Sequence, residues 1–128
     1  MTVRAMVTAP EVYRVGVAGV PVMDIYDHIT VIEPYMDLPQ NDPEGYESAS
    51  SLRLAGNLKG DLLMIAGTSD LNAPFSATMK MVDALTRAGK VYSLVVLPEQ
   101  NHITAGQSRA YRTEATRRFF EAHLLPRH

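Results

Sequence analysis

Two residues at the ends of neighbouring apolar segments could act together as an acid–base pair. Asp70 follows the apolar run 61–67, and His102 follows the run 91–97. If both runs are parallel strands, their carboxyl ends lie at one edge of the sheet, where ligands and catalytic groups gather. An aspartate that accepts a hydrogen bond from an imidazole fixes its tautomer and stabilises the imidazolium, as a hydrolytic triad requires. The spacing therefore predicts that Asp70 and His102 meet.

Each of these residues also has a plainer interpretation, which the sequence leaves open. An Asp or Asn near a helix start is most often an N-cap, and the segment after Asp70 is predicted to be helical. A single loop histidine usually has a structural or solvated role, and Gly67 could serve only to turn the chain. The ordered combination of a strand, Gly67, Asp70, a helix, a second strand and His102 favours the catalytic interpretation.

Two other clusters of polar residues carry less weight. A metal site built on His28 would have to use nearby carboxylates, because no second histidine lies close in the sequence. The carboxylates nearest to it are Asp24 and Asp27. The final helix carries arginines that predict a solvated face rather than an anion site, namely Arg112, Arg117 and Arg118. We therefore expect neither a metal nor any other cofactor.

The elements that must position the pair can be read from the apolar pattern. Continuous apolar character suits parallel strands covered on both faces, and it predicts strands at 15–20, 61–67 and 91–97. Helical periods are predicted for 2–9, for the segment that ends at Gly89, and for 109–125. The residues proposed for the two buried helix faces are Phe75, Met79, Val82 and Leu85, then Tyr111, Ala115, Phe119 and Ala122. Segment 24–60 indicates short helical turns and loops, so the order is that of an α/β protein.

Length and composition are those of one globular domain over residues 1–128. The chain has 12 Lys plus Arg against 14 Asp plus Glu, a net charge of −2, and 46% hydrophobic residues. Near-neutral charge predicts no nucleic acid partner. Its lack of cysteine excludes disulfides, a thiolate nucleophile and Cys-ligated metals. No apolar stretch is long enough for a signal peptide or a membrane span, so we expect a cytoplasmic protein without a membrane partner.

The stretch DLLMIAGTSDLNAPFSATMKMVDALTRAGKVYSLVVLPEQNH resembles the carboxyl-terminal part of the α/β-hydrolase domain of the prolyl oligopeptidase and dipeptidyl peptidase family. VGVAGVPV, EPYMDLP, NDPEGY and AGNLKG also have counterparts there in the same order, so the resemblance covers practically the whole chain. It implies a partial α/β-hydrolase fold of about three parallel strands with flanking helices. It further implies that Asp70 and His102 are the triad aspartate and histidine, and that Asn72 holds the peptide carbonyl of a substrate.

The nucleophile of such enzymes is a serine in a G-x-S-x-G elbow, and no such pentapeptide occurs in this chain. From the match of Met1 and Thr2 to the end of the family's elbow motif, we expect the chain to start just after the nucleophile. None of the other serines is expected to replace it: Ser69 lacks flanking glycines, Ser108 is predicted to cap the last helix, and Ser48, Ser50 and Ser51 lie in the irregular segment.

Two functional hypotheses follow from these observations. The first is a fragment or truncated member of a serine peptidase or hydrolase family, with little or no activity alone and a peptide or small acyl substrate in the parent enzyme. The region after Val20 lacks aromatic residues that the resemblance implies, with Ile25 and Val31 in their places, so proline selectivity is not expected. The second is a non-catalytic module that forms a homodimer or larger homo-oligomer through the exposed edge of strand 15–20. A small response-regulator-like domain is disfavoured, because no acidic cluster follows the first strand.

Overall fold

The predicted order of strands and helices is present in the structure, a computed structural model that describes residues 1–124. Helix α1 (Thr2–Thr8) leads into strand β1 (Val15–Gly19), and strand β2 (Asp61–Gly67) is followed by helix α4 (Phe75–Arg87). Strand β3 (Ser93–Leu97) and helix α5 (Gly106–Leu124) complete the chain. Between β1 and β2 lie helices α2 (Ile29–Met36) and α3 (Pro43–Ala49), with 3-10 helices at Ile25–His28 and Leu52–Asn57. None of the helices described is both long and apolar enough to cross a membrane.

The three strands form one parallel sheet in the order β1-β2-β3. Val17 is level with Leu63 in the β1–β2 register, and Ile65 is level with Val95 in the β2–β3 register. Since side chains alternate along a strand, the residues of β2 supply two separate cores. One core, with Leu62 and Met64, packs with α1, α4 and the 3-10 helix Leu52–Asn57. The other, with Leu63 and Ile65, packs with Phe119 of α5.

Only the central strand is buried as continuously as the apolar runs predicted. Six of the seven residues of β2 are buried, whereas Gly16 and Ala18 are the only buried residues of β1. The third strand begins at Ser93 instead of residue 91, and Val91 is 89% exposed. Within β3 only Leu97 is buried, because no described element covers the outer side of this strand.

Two predicted helix faces also require correction. The buried residues of α4 are Ala77, Thr78, Met81 and Leu85. Of the predicted stripe, Leu85 is buried and Val82 packs half-buried against the same core, while Phe75 and Met79 are half-buried. In α5 only Phe119 is buried, and Tyr111 is 56% exposed. Both predictions rested on apolar residue type, whereas the small Ala77 and the polar Thr78 are also fully buried in α4. Helix α5 begins at Gly106, so Ser108 lies inside it and is not its cap, and residue 125 lies outside the described residues.

The irregular segment between β1 and β2 is held by a few specific contacts. Tyr46 is fully buried, and its hydroxyl donates to the carbonyl oxygen of Asp37 at 2.9 Å. The Arg4 guanidinium of α1 donates to the carbonyl oxygen of Ser48 at 2.8 Å and to two further carbonyls of this turn. The Asp42 carboxylate accepts from the backbone N–H of Gly45 and caps α3. These contacts anchor the short helices that lie between β1 and β2.

Candidate active site

Asp70 is a buried carboxylate in the loop between β2 and α4. Its side chain has no exposed surface. One carboxylate oxygen, Oδ1, accepts hydrogen bonds from the backbone N–H groups of Asn72 and Ala73, both at 2.8 Å. This resembles the N-cap arrangement that the sequence left open, although α4 itself begins at Phe75 with Pro74 at its N-cap. The backbone contacts fix the carboxylate and leave its second oxygen for another partner.

That partner is His102. Its Nδ1 lies 3.0 Å from Oδ2 of Asp70, and 41% of the His102 side chain is exposed. An ionised carboxylate can only accept a hydrogen bond, so Nδ1 carries the proton and Nε2 is left with its lone pair. The structure therefore brings together the two residues that the sequence placed at one edge of the sheet, in the orientation that proton transfer at Nε2 needs. Their catalytic role stays a prediction.

The pKa of the Asp70 carboxyl is lowered by its surroundings. Burial alone would raise this pKa, because it disfavours the charged form. The hydrogen bonds from the Ala73 backbone, the His102 imidazole and the Asn72 backbone, with the charge of His102, outweigh burial and bring the pKa below its ordinary value. The carboxylate is thus held ionised, as a residue that orients and stabilises an imidazolium must be.

The two loops that carry this pair are joined by their backbones. The N–H of Thr68 donates to the carbonyl of Leu97 at 3.1 Å, and the N–H of Ser69 donates to the carbonyl of Gln100 at 3.1 Å. The Thr68 hydroxyl accepts from the N–H of Glu99 at 2.9 Å, and Glu99 has a left-handed φ of 58°. The sequence pattern gave neither Thr68 nor Glu99 a predicted role. The position of Thr68 directly after a buried strand was the one sequence feature that could have indicated a role in joining the loops.

Gly67 is required by this close approach of the two loops. A Cβ at this position would lie 2.2 Å from the carbonyl oxygen of Gln100, a separation that no relaxed structure allows. The proposal that Gly67 only turns the chain is therefore incomplete. Its missing side chain lets the loop that carries His102 come within hydrogen-bonding distance of the loop that carries Asp70.

Asn72 lies next to the pair, and no hydrogen bond of the described residues joins it to His102. It is exposed, and its backbone N–H supports Asp70. An open cavity of about 430 Å³ is lined by Leu71, Asn72, Asn101, His102 and Ile103. A second cavity of about 560 Å³ shares Leu71 and Asn72 and includes Val22, Ile25 and Val31. The position of Asn72 between these two cavities is suited to binding a substrate, and its role with a peptide carbonyl stays a prediction.

None of the candidate serines is placed to use this imidazole. Within residues 1–124 no hydrogen bond joins His102 to a serine hydroxyl. The Ser48 hydroxyl donates to the carbonyl of Gly45, and Ser50 and Ser51 are buried in the core. Ser69 uses its backbone N–H to join the two loops.

The possible metal cluster does not form. In the described part of the chain, no three His, Asp or Glu side chains come together as a metal site. Asp24 accepts from the N–H of Tyr26 at 3.3 Å, and Asp27 forms a salt bridge with Lys80.

The fold is that of part of an α/β-hydrolase domain, as two solved peptidase structures show. A crystal structure described as a dipeptidyl aminopeptidase IV from Bacteroides ovatus superposes on 97% of this chain with a TM-score of 0.93 and 38% identity. The dipeptidyl peptidase 4 of Porphyromonas gingivalis matches 88% of the chain with a TM-score of 0.84 and 29% identity. The chain spans 18% and 16% of these two structures.

Sequence comparison identifies the family. The family model for the prolyl oligopeptidase family matches residues 1–126, so the chain belongs to that family. Human dipeptidyl peptidase 8 is 29% identical over 129 residues, which cover 98% of this chain and 14% of that protein. A probable dipeptidyl-aminopeptidase B of Arthroderma gypseum is 39% identical over 73% of the chain and 11% of its own length.

Gly67→Ala tests whether close approach of the loops positions His102. We expect a loss of about 1–3 kcal/mol in the free energy of unfolding, because the new methyl group overpacks against Gln100. NMR of the His102 ring should also show a changed environment. Gly56→Ala is the matched control, since the nearest atom to its Cβ would be 4.0 Å away. Equal stability of the two variants would contradict this role of Gly67.

Asp70→Asn tests the contribution of the ionised carboxylate to stability. Because the pKa of Asp70 is lower in the folded than in the unfolded chain, its stabilisation is present above the unfolded pKa of about 3.8 and is lost as pH falls through the folded pKa. The difference in unfolding free energy between the parent and Asp70→Asn should therefore shrink with acidification. Urea unfolding followed by circular dichroism from about pH 7 to about pH 3 measures it.

Asp83→Asn is the control for that experiment, because Asp83 is an exposed carboxylate paired with Arg87 one turn away. Its removal should change stability by no more than about 0.5 kcal/mol at any pH. If the difference in unfolding free energy between the parent and Asp70→Asn did not change with pH, the charge of the Asp70 carboxylate would contribute nothing to stability.

Proposed function

We propose that this chain supplies the Asp–His part of a serine hydrolase that cleaves peptide or ester bonds. The observation that carries the proposal is the 3.0 Å contact between Nδ1 of His102 and the buried carboxylate of Asp70. His102 would take the proton of a serine hydroxyl at Nε2 and later return it to the leaving group. Asp70 would hold the imidazole in position and stabilise its charged form. This chemistry uses no cofactor.

Peptides, or small acyl compounds, are the substrates that this proposal implies. Two of the relatives reported above are named as dipeptidyl peptidases, which supports a peptide substrate. The cavity beside Asn72 is lined by aliphatic residues that include Val22, Ile25 and Val31. These residues favour an apolar substrate side chain, and Asp27 and His28 add polar groups to the same cavity.

The chain of 128 residues should have little or no hydrolytic activity by itself, since it contains no G-x-S-x-G motif and no serine hydroxyl bonded to His102 in residues 1–124. A fluorophosphonate probe tests this, because it labels activated serines covalently. We expect no more labelling of the native purified chain than of the heat-denatured chain. Labelling of the native chain alone would overturn the proposal of inactivity, and Ser69→Ala would then show whether Ser69 is the labelled residue.

The second candidate function is a homo-oligomeric module, supported by the open edge of β1. The N–H of Val20 donates to Ile65 in β2, so by alternation Val17 and Gly19 direct their backbone groups to the other edge. No strand covers that edge within residues 1–124. Pairing with a second copy would satisfy these backbone groups. We also propose that the protein is located in the cytoplasm, as the sequence led us to expect.

Val17→Pro tests the pairing, because it removes an N–H that faces the open edge. We expect the parent chain to be larger than 14 kDa by light scattering at micromolar concentration, and Val17→Pro to be a monomer. Val96→Pro is the matched control, since alternation places its N–H on the outer edge of β3. A monomeric parent chain, or loss of the oligomer in Val96→Pro alone, would contradict the assembly through β1.

A further inference from the structure

An open cavity of about 420 Å³ lies beside His102, on the side of helix α5. Four of its lining residues are Arg109, Arg112, Thr113 and Thr116. Their offsets of three, four and seven residues place them on one face of the helix. His102 and Thr104 also line the cavity, and no acidic residue of the described chain does so. The cavity is therefore bordered by two guanidinium groups, an imidazole and several hydroxyls.

The arginines of α5 fall into two groups by their partners. Arg117 and Arg118 both form salt bridges with Glu114 at 2.7 Å, on the exposed surface of the helix. Arg109 donates from Nε to the carbonyl oxygen of Thr104 at 3.1 Å, which leaves its terminal nitrogens for another acceptor. Within residues 1–124 neither Arg109 nor Arg112 forms a salt bridge. Arg112 is half-buried, whereas Arg117 and Arg118 are exposed.

Arg112 extends to the carboxyl end of the sheet. A terminal nitrogen of its guanidinium would lie 2.3 Å from a Cβ at Gly19, the last residue of β1. Because the three strands are parallel, this is the same edge that carries Asp70 and His102. The absence of a side chain at Gly19 gives the guanidinium its place there.

We propose that this cavity binds a small oxyanion, a carboxylate or a phosphate, between Arg109 and Arg112. Guanidinium groups bind both oxyanions through paired N–H donors, and threonine hydroxyls can add further hydrogen bonds. The carboxylate of Asp70 cannot fill this role, because its oxygens are occupied by Asn72, Ala73 and His102. The proposal does not depend on hydrolysis, so it can be tested on the chain as it is.

The test is an NMR titration of the full 128-residue chain with inorganic phosphate in one arm and acetate in the other, at constant ionic strength. We expect saturable shifts of the Arg109 and Arg112 Nε–H signals and of the His102 ring in at least one arm. The arm with the lower Kd identifies the oxyanion. No saturable shift in either arm, or saturable shifts confined to other arginines, would overturn the proposal.

Variants separate a built site from general attraction to positive charge. Arg112→Gln and Arg109→Gln should each raise the Kd by about tenfold, the loss expected for one charge-assisted hydrogen bond. Arg112→Lys keeps the charge but lacks the paired donors, so its Kd should lie between those of Arg112→Gln and the parent. Arg118→Gln is the matched control on the same helix and should bind like the parent. An equal loss in Arg118→Gln would show that net charge alone attracts the anion.

Discussion

The close approach of two loops at one edge of the sheet is the constraint on which the candidate site depends. Asp70 is buried and ionised, which costs free energy unless its oxygens are fully hydrogen-bonded. Two backbone N–H groups and the imidazole of His102 meet that requirement. They can do so because Gly67 has no side chain to keep the second loop away. A single absent methyl group thus permits the contact that gives His102 its orientation.

The strands of the sheet behind these loops differ in how well they are shielded from solvent. Strand β2 is central and buried, with a separate core on each of its faces, and this makes it a rigid support for Asp70. Strands β1 and β3 each have an edge that no described element covers. Open strand edges pair readily with other chains, which is the physical basis of the assembly proposed through β1.

Membership of the prolyl oligopeptidase family and the position of the Asp–His pair support a hydrolytic ancestry. The chain spans only 11% to 18% of the relatives reported above, so their activities come to it as proposals. The cavity lined by Arg109 and Arg112 adds a feature that hydrolysis alone does not explain. Within residues 1–124 its arginines form no salt bridge, whereas Glu114 neutralises Arg117 and Arg118.

The sequence by itself determined the α/β order, the parallel strands and the residues that meet at the strand ends, because apolar runs, breakers and strand direction can be read locally. Asp70 and His102 could be placed at one edge of the sheet because each follows a predicted parallel strand. The tertiary structure decided which faces are buried: the inward residues of α4, the exposure of β3 and the separation of Arg112 from Arg117 all depend on packing partners distant in sequence. The requirement for glycine at position 67 is of the same kind, because only the folded chain brings the carbonyl of Gln100 against it.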